Sequence, residues 1–345
     1  MTEEVPGARS EPARMNRRHL LQLGTALLAS APVLACNELV AQSGATTQAE
    51  PVLPEIYSFQ LGDWPAYVIH DGTLPNPDLQ PFFLPEASPE ELEKLLADQF
   101  LSPRNWILSL NVLVFRTSDG VVLVDSGMGA GITPTTGRLK RGLEVLGISP
   151  DQVVAIVLSH AHPDHLGGTI HQAQGQLAFP KARLFMARSE ADFWVSEQPE
   201  LPAGLPEALK KNATQVAHKV LEAAGDQLQK VDGEEEFWPG FRYLTAPGHT
   251  PGHRAVRIQS GQQVLLYLGD TVHIHAAQFA HPEWTMAADT NKQQAIASRI
   301  QLLELAAAGR LRVAGGHLPF PGLGHVKKLG ERQFAFVPQP WGDSR

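Results

Sequence analysis

Beyond residue 55 the chain alternates short apolar runs with turn residues, and the spacing of its apolar positions changes part-way along. Ile56–Leu61, Ala66–Ile69, Ile107–Phe115 and Val121–Val124 are rich in β-branched and aromatic residues and end in turn formers, which predicts strands. Thr117-Ser118-Asp119-Gly120 joins the last two as a hairpin. After Asp125, helical and strand patterns alternate. Gly137–Leu146, Glu207–Ala224 and Lys292–Ala308 carry apolar residues at helical spacing. Val153–Leu158, Ala182–Met186, Phe241–Thr245, Val264–Leu268 and Leu311–Ala314 read as strands, the first an unbroken apolar run of the kind buried on both faces. Strand-rich halves with helices between them predict an α/β protein whose sheet layers pack on helices, with residues 55–345 as one catalytic domain.

Residues 1–36 follow another pattern. Four arginines, including the pair Arg17-Arg18, precede the uncharged stretch Leu20–Ala35. A bilayer-spanning helix needs about 20 apolar residues, so this stretch is short for one. A basic head, a short apolar run and small residues at its end predict an export signal, here of the twin-arginine type. Cys36 closes Val33-Leu34-Ala35-Cys36, which resembles a bacterial lipoprotein processing site; cleavage near Ala35 by an ordinary signal peptidase is the alternative. Residues 37–54, rich in Ala, Gln, Thr and Ser, read as a linker. The expected location is periplasmic, cell-envelope or extracellular.

Charge and cysteine content narrow the chemistry. The chain has 28 basic against 36 acidic residues, a net charge of −8, which argues against nucleic acid as a partner. Lipidation at Cys36 would be its one membrane tether. With one cysteine and 14 histidines, neither a disulfide scaffold nor a Cys-rich zinc module is available. A bound metal would be held by histidine and carboxylate.

Such a donor set is present. Strand Val153–Leu158 runs into Ser159-His160-Ala161-His162-Pro163-Asp164-His165. In an extended segment His160 and His162 point to one side, and Pro163 can turn the chain to offer Asp164 and His165 in another direction. Three more candidates follow strands: His249 in Pro247-Gly248-His249-Thr250, Asp270 in Gly269-Asp270-Thr271, and His317 in Gly315-Gly316-His317-Leu318. Ligands beyond the carboxyl ends of strands converge on one sheet edge. The neighbouring glycines allow tight backbone bends there. One catalytic zinc needs three protein ligands, so five histidines and two aspartates fit two divalent ions, most simply zinc, with Mn, Fe or Co also suited to these donors. Two such ions lower the pKa of a shared water and polarise a carbonyl or phosphoryl oxygen, which is hydrolytic chemistry.

At these residues the chain resembles the metallo-β-lactamase fold superfamily, with its His-x-His-x-Asp-His signature and the leading Val121-Val122-Leu123-Val124-Asp125-Ser126-Gly127. The resemblance implies an αββα sandwich with the site along its rim. It implies one metal on His160, His162 and His249, another on Asp164, His165 and His317, Asp270 bridging them, and a metal-bound hydroxide as nucleophile. Asp125 and His253 would support the ligands from behind. Ala191-Asp192-Phe193-Trp194, His317-Leu318-Pro319-Phe320-Pro321-Gly322 and Phe334–Pro338 are similar to the methyl parathion hydrolases, relatives of lactone and aryl ester hydrolases. That similarity places Trp194 in a leaving-group pocket together with the Ile132 position, and Phe279 and Leu318 could also line an apolar pocket.

Ile132 stands where those enzymes carry a phenylalanine, and His273 where they carry an aliphatic residue. A histidine there could donate a hydrogen bond to a leaving oxygen or carbonyl, so the expectation is lactone or aryl ester hydrolysis with Asp164, Asp270 and His273 as catalytic groups, and phosphotriester cleavage as a side reaction. A dedicated phosphotriesterase is the nearest alternative. A di-iron oxidoreductase would need an electron donor for which the chain has no length, and a non-catalytic metal-binding module would turn over no ester. The expected partner is a small-molecule substrate, and a homodimer is compatible with the sequence.

Overall fold

A computed structural model describes residues 55–340 and 342. The export signal, Cys36 and the whole of the linker lie outside the described residues. Two seven-stranded sheets and a two-residue hairpin carry the fold. The first sheet has the order β1 (Ile56–Leu61), β2 (Trp64–Asp78), β3 (Arg104–Thr117), β4 (Gly120–Val124), β5 (Val153–Val157), β8 (Arg183–Ala187), β9 (Leu228–Val231). The small hairpin is β6 (Ile170–His171) with β7 (Gln176–Leu177). The second sheet runs β10 (Glu236–Trp238), β11 (Phe241–Thr245), β12 (Arg254–Ser260), β13 (Gln263–Tyr267), β14 (Arg312–Ala314), β15 (Leu323–Lys328), β16 (Phe334–Pro338).

Side-chain alternation along the strands sorts the core into layers. Val122, Val124, Ala155 and Val157 face inward against Tyr243, Val256, Leu265 and Tyr267 of the second sheet. Leu123 and Ile156 face outward and meet the helices Leu139–Val145 (α2) and Glu207–Ala224 (α5). On the far side, Leu266 and Val313 pack on Leu302 and Leu303 of the helix Lys292–Ala308 (α7). This is an αββα sandwich. Each such buried aliphatic side chain contributes about 1.5–3 kcal/mol relative to exposure.

The strands run further than their apolar segments. The second strand, expected at Ala66–Ile69, continues to Asp78 through Gly72, Pro75, Asn76 and Pro77, residues that read as turns. It stays paired with β3, from Ala66↔Phe115 to Asp78↔Arg104, with an irregularity between His70 and Gly72. This extended arm and residues 79–108, which include the helix Pro89–Ala97 (α1), pack against residues 274–288, which include the single turn His275–Gln278 (α6), in a separate apolar cluster containing Leu79, Phe83, Leu108, Ile274 and Met286. Phe83 and Met286 form an isolated bridge, and Glu86 accepts hydrogen bonds from Thr285 and Lys292. The cluster builds one wall above the strand ends where the candidate ligands sit.

Candidate metal centre

All seven sequence-predicted ligands come together at one end of the sandwich. His160 and His162 leave β5; His165 sits in the single turn α3 (Pro163–Leu166). His249 lies between β11 and β12, Asp270 in a 3₁₀ turn directly after β13, and His317 between β14 and β15. The backbone at Gly248 (φ 128°) and Gly269 (φ 53°) takes the positive φ that glycine tolerates.

Two donor sets result. In the first, the His160 Nε2 and His249 Nε2 atoms lie 3.0 and 2.9 Å from His162 Nδ1. In the second, His165 Nε2 is 3.4 Å from His317 Nε2, and Asp164 Oδ2 is 3.7 and 3.4 Å from the two. Asp270 faces both. Its Oδ2 is 3.6 Å from His160 Nε2 and 3.3 Å from His249 Nε2, while its Oδ1 is 2.9 Å from His165 Nε2 and 3.3 Å from His317 Nε2. Within each group, His160–His162–His249–Asp270 and Asp164–His165–His317, one donor atom per residue lies within 4.8 Å of the others.

The donor chemistry fits divalent cations. Imidazole nitrogens crowd within about 3 Å of one another and, apart from His162 and Asp164, the donors are buried. Burial holds His160 and His162 well below the usual histidine range, reinforced by neighbouring histidines, so both present lone pairs. Burial alone would raise the Asp270 carboxyl, but His165, His317 and His273 hold it well below its usual value.

The remote ring nitrogens are fixed as well. His165 Nδ1 donates to Asp125 Oδ2 at 2.8 Å, His249 Nδ1 to Asp289 Oδ1 at 2.9 Å, and His317 Nδ1 to the Ser109 carbonyl at 3.0 Å. Such partners set the tautomer and aim the ring. Asp125 adopts φ 58° and also accepts from Ser159 and Tyr267. His253 donates from Nδ1 to the Ala246 carbonyl and accepts the Asp270 backbone N–H at Nε2; burial and His249 push its pKa down to about 3. It therefore orients the bridging residue as a neutral ring.

A cavity of about 350 Å³ opens onto Asp164, His162, His249, Asp270, His273 and His317. Four pocket assignments from sequence need correction. Trp194 is fully buried beneath His162, ring centroids 5.7 Å apart, and donates to Glu190. Its helix, α4 (Arg188–Val195), turns it toward the core. Phe279 and Leu318 belong to the apolar layer under α7, and Ile132 is 42% exposed and does not line the cavity. The apolar wall comes instead from Leu74, Phe82, Phe83, Leu201, Leu205 and Met286.

His273 does line the cavity, but not as a hydrogen-bond donor to it. Its Nε2–H points at Asp270 Oδ2, 3.0 Å away, and burial holds its pKa near 4. A neutral ring carries one N–H, so Nδ1 has none to offer. Sequence reasoning also missed Asp289 and Glu190, which carry no motif of their own.

The metallo-beta-lactamase superfamily model matches residues 107–174, across the His160–His165 run. A solved structure of AidC, a dizinc quorum-quenching lactonase in complex with a product N-hexanoyl-L-homoserine, is 32% identical with a TM-score of 0.79, covering 84% of this chain and 99% of that one. The chain belongs to the metallo-beta-lactamase superfamily. A second superfamily structure, the hydrolase AbOPH, is 26% identical with a TM-score of 0.73, covering 84% of this chain and 98% of the other. A probable metallo-hydrolase of Mycobacterium tuberculosis is 29% identical over 196 residues, 48% of this chain. The match spans 57% of that relative's length. Similarity to a superfamily lactonase thus extends over nearly the whole of that structure, beyond the signature run.

Proposed function

We propose that the protein is a binuclear metal-dependent hydrolase of lactones or aryl esters, with an N-acylated lactone as the substrate class that fits best. The observation that carries this reading is Asp270, which turns one carboxylate oxygen to each donor set at the floor of an apolar cavity. Two bound divalent ions, zinc on the precedent of AidC, would supply water activation and carbonyl polarisation.

The chain's own residues do the rest. Asp270 holds the two donor sets in register, and His253 and His273 hold Asp270. Leu74, Phe82, Phe83, Leu201 and Leu205 desolvate an acyl chain and exclude bulk water from the ester. Among the described residues Lys210 is the one lysine or arginine lining the cavity, so a neutral substrate suits it better than a polyanion. An aryl phosphotriester shares the neutral, apolar character and is proposed as a side substrate. Export under residues 1–36 belongs to the same proposal and is supported by the twin arginines; mass spectrometry of the N-terminus in cell fractions tests it. A parallel screen of N-acyl homoserine lactones, aryl esters, phosphotriesters and β-lactams on zinc-loaded protein tests the activity. Preference for β-lactams, or no turnover of any ester, would overturn it.

A further inference from the structure

Glu190 is a fully buried carboxylate that no reaction step uses. Its Oε1 accepts the backbone N–H of Ala161 at 2.9 Å and the Trp194 indole N–H at 2.8 Å. Its Oε2 accepts the Thr250 hydroxyl at 2.6 Å and the Gly252 N–H at 3.0 Å. Ala161 stands between His160 and His162, and Thr250 follows His249. One carboxylate therefore ties the arm carrying two ligands to the loop carrying the third. The approach is close: a Cβ on Gly252 would lie 2.1 Å from the Glu190 nitrogen, so only glycine admits the loop.

The other donor set is held by different groups. Asp125 holds His165 and the Ser109 carbonyl holds His317. Asn111 Nδ2 donates to the Gly315 and Leu318 carbonyls around His317, and Ser126 donates from its hydroxyl to the His165 carbonyl. None of these groups bonds Glu190.

We propose that Glu190 is the positioning residue of the three-histidine half of the centre, setting the spacing of His160, His162 and His249 and hence the metal affinity of that half alone. Burying a charge is costly unless its hydrogen bonds are complete. Four donors complete them here, and the cost is met where two loops must be kept in register. A glutamine cannot replace it. Its single oxygen serves either the Ala161 and Trp194 pair or the Thr250 and Gly252 pair, and its NH₂ then faces a backbone donor.

The inference rests on the two-metal reading, and the test separates the two. Zinc affinity of the full-length protein is measured by competition with a chromophoric chelator in two backgrounds. His317→Ala leaves the three-histidine half intact, and His160→Ala leaves the Asp164, His165 and His317 half. Adding Glu190→Gln is expected to weaken zinc about 10–100-fold in the first background and leave it unchanged in the second. Equal losses in both, or none in the first, would overturn the proposal. If Glu190→Gln does not fold, as read by circular dichroism, Thr250→Val removes one of the four donors while keeping the carboxylate. It should show the same selectivity at smaller size, and a loss without selectivity overturns the proposal. A wild-type chain that binds no zinc strikes down the metal reading itself; a wild-type chain that binds two, with an indifferent Glu190→Gln, strikes down this inference alone.

Discussion

His249 and Asp289 are joined by a 2.9 Å hydrogen bond from the ring Nδ1–H to Oδ1, while the other Asp289 oxygen accepts the Met286 backbone N–H. Met286 lines the cavity, so one carboxylate links a metal-facing ring to the substrate wall. Asp289→Ala is expected to lower zinc affinity or activity by about 10–100-fold, the range found when such partners of ligand histidines are removed. Asp289→Asn keeps an acceptor and should lose less. Chelator competition and steady-state kinetics on both variants check the order.

Metal withdrawal should act on activity before it acts on the fold. The sandwich core of Val122, Val157, Tyr243 and Leu265 is built mainly from apolar side chains and contains none of the candidate ligands. Ester or lactone turnover should vanish with a chelator and return with Zn²⁺, Mn²⁺ or Co²⁺, while far-ultraviolet circular dichroism stays unchanged. Full activity in the His160→Ala, His162→Ala double variant would refute the mechanism.

Glu86 gives a pH signature to the cavity wall. Partial burial would raise its pKa, but Lys292 and Thr285 outweigh this and hold it below the usual carboxylate value. A carboxylate with a depressed folded pKa stabilises the fold above its unfolded pKa, and that contribution disappears as pH falls through the folded value. Since the group is largely solvent-screened, Glu86→Gln should cost about 1 kcal/mol at neutral pH. Urea unfolding across pH 3–7 should show the gap between variant and wild type closing at the acidic end.

Leu209 lines the cavity yet is 49% exposed, so it tests substrate length without undermining the core. Leu209→Glu should raise KM for long acyl chains about tenfold, corresponding to roughly two buried methylenes at ~0.8 kcal/mol each. Short-chain substrates should be nearly unaffected. An equal change for all chain lengths would count against an acyl chain along this wall.

Trp194→Phe separates core from pocket. The substitution keeps an apolar ring and removes one of the four donors to the buried Glu190 carboxylate, which should cost about 1.5–3 kcal/mol of stability. Selectivity among leaving groups should not change, because the indole does not reach the cavity.

Sheet layers packed on helices and the convergence of ligands were legible in the sequence because both follow from local pattern, whereas the αββα order came from the resemblance. Val153–Leu158 declares itself by its apolar run, and His160 to His165 by their density. What held those ligands was not legible. Glu190 and Asp289 reach His160, His162 and His249 only through tertiary contact, with no local spacing to signal it. Trp194, Phe279 and Leu318 stand next to motif residues, yet helix phase and strand-end packing turn them into the core. Part of the cavity wall, from Leu74 to Phe83, includes a stretch whose prolines and asparagine read as loop although it is paired strand as far as Asp78.

Each donor set draws on both sheets. His160 and His162 follow the first sheet and His249 the second; Asp164 and His165 follow the first and His317 the second, with Asp270 also from the second. Neither half of the chain can therefore assemble a full coordination sphere by itself. The ions would act as rivets across the seam between the halves, and their uptake would be the last event of maturation rather than its trigger. Metal content would then serve as a count of correctly closed molecules, since a chain with one misdocked half would register as empty at both positions.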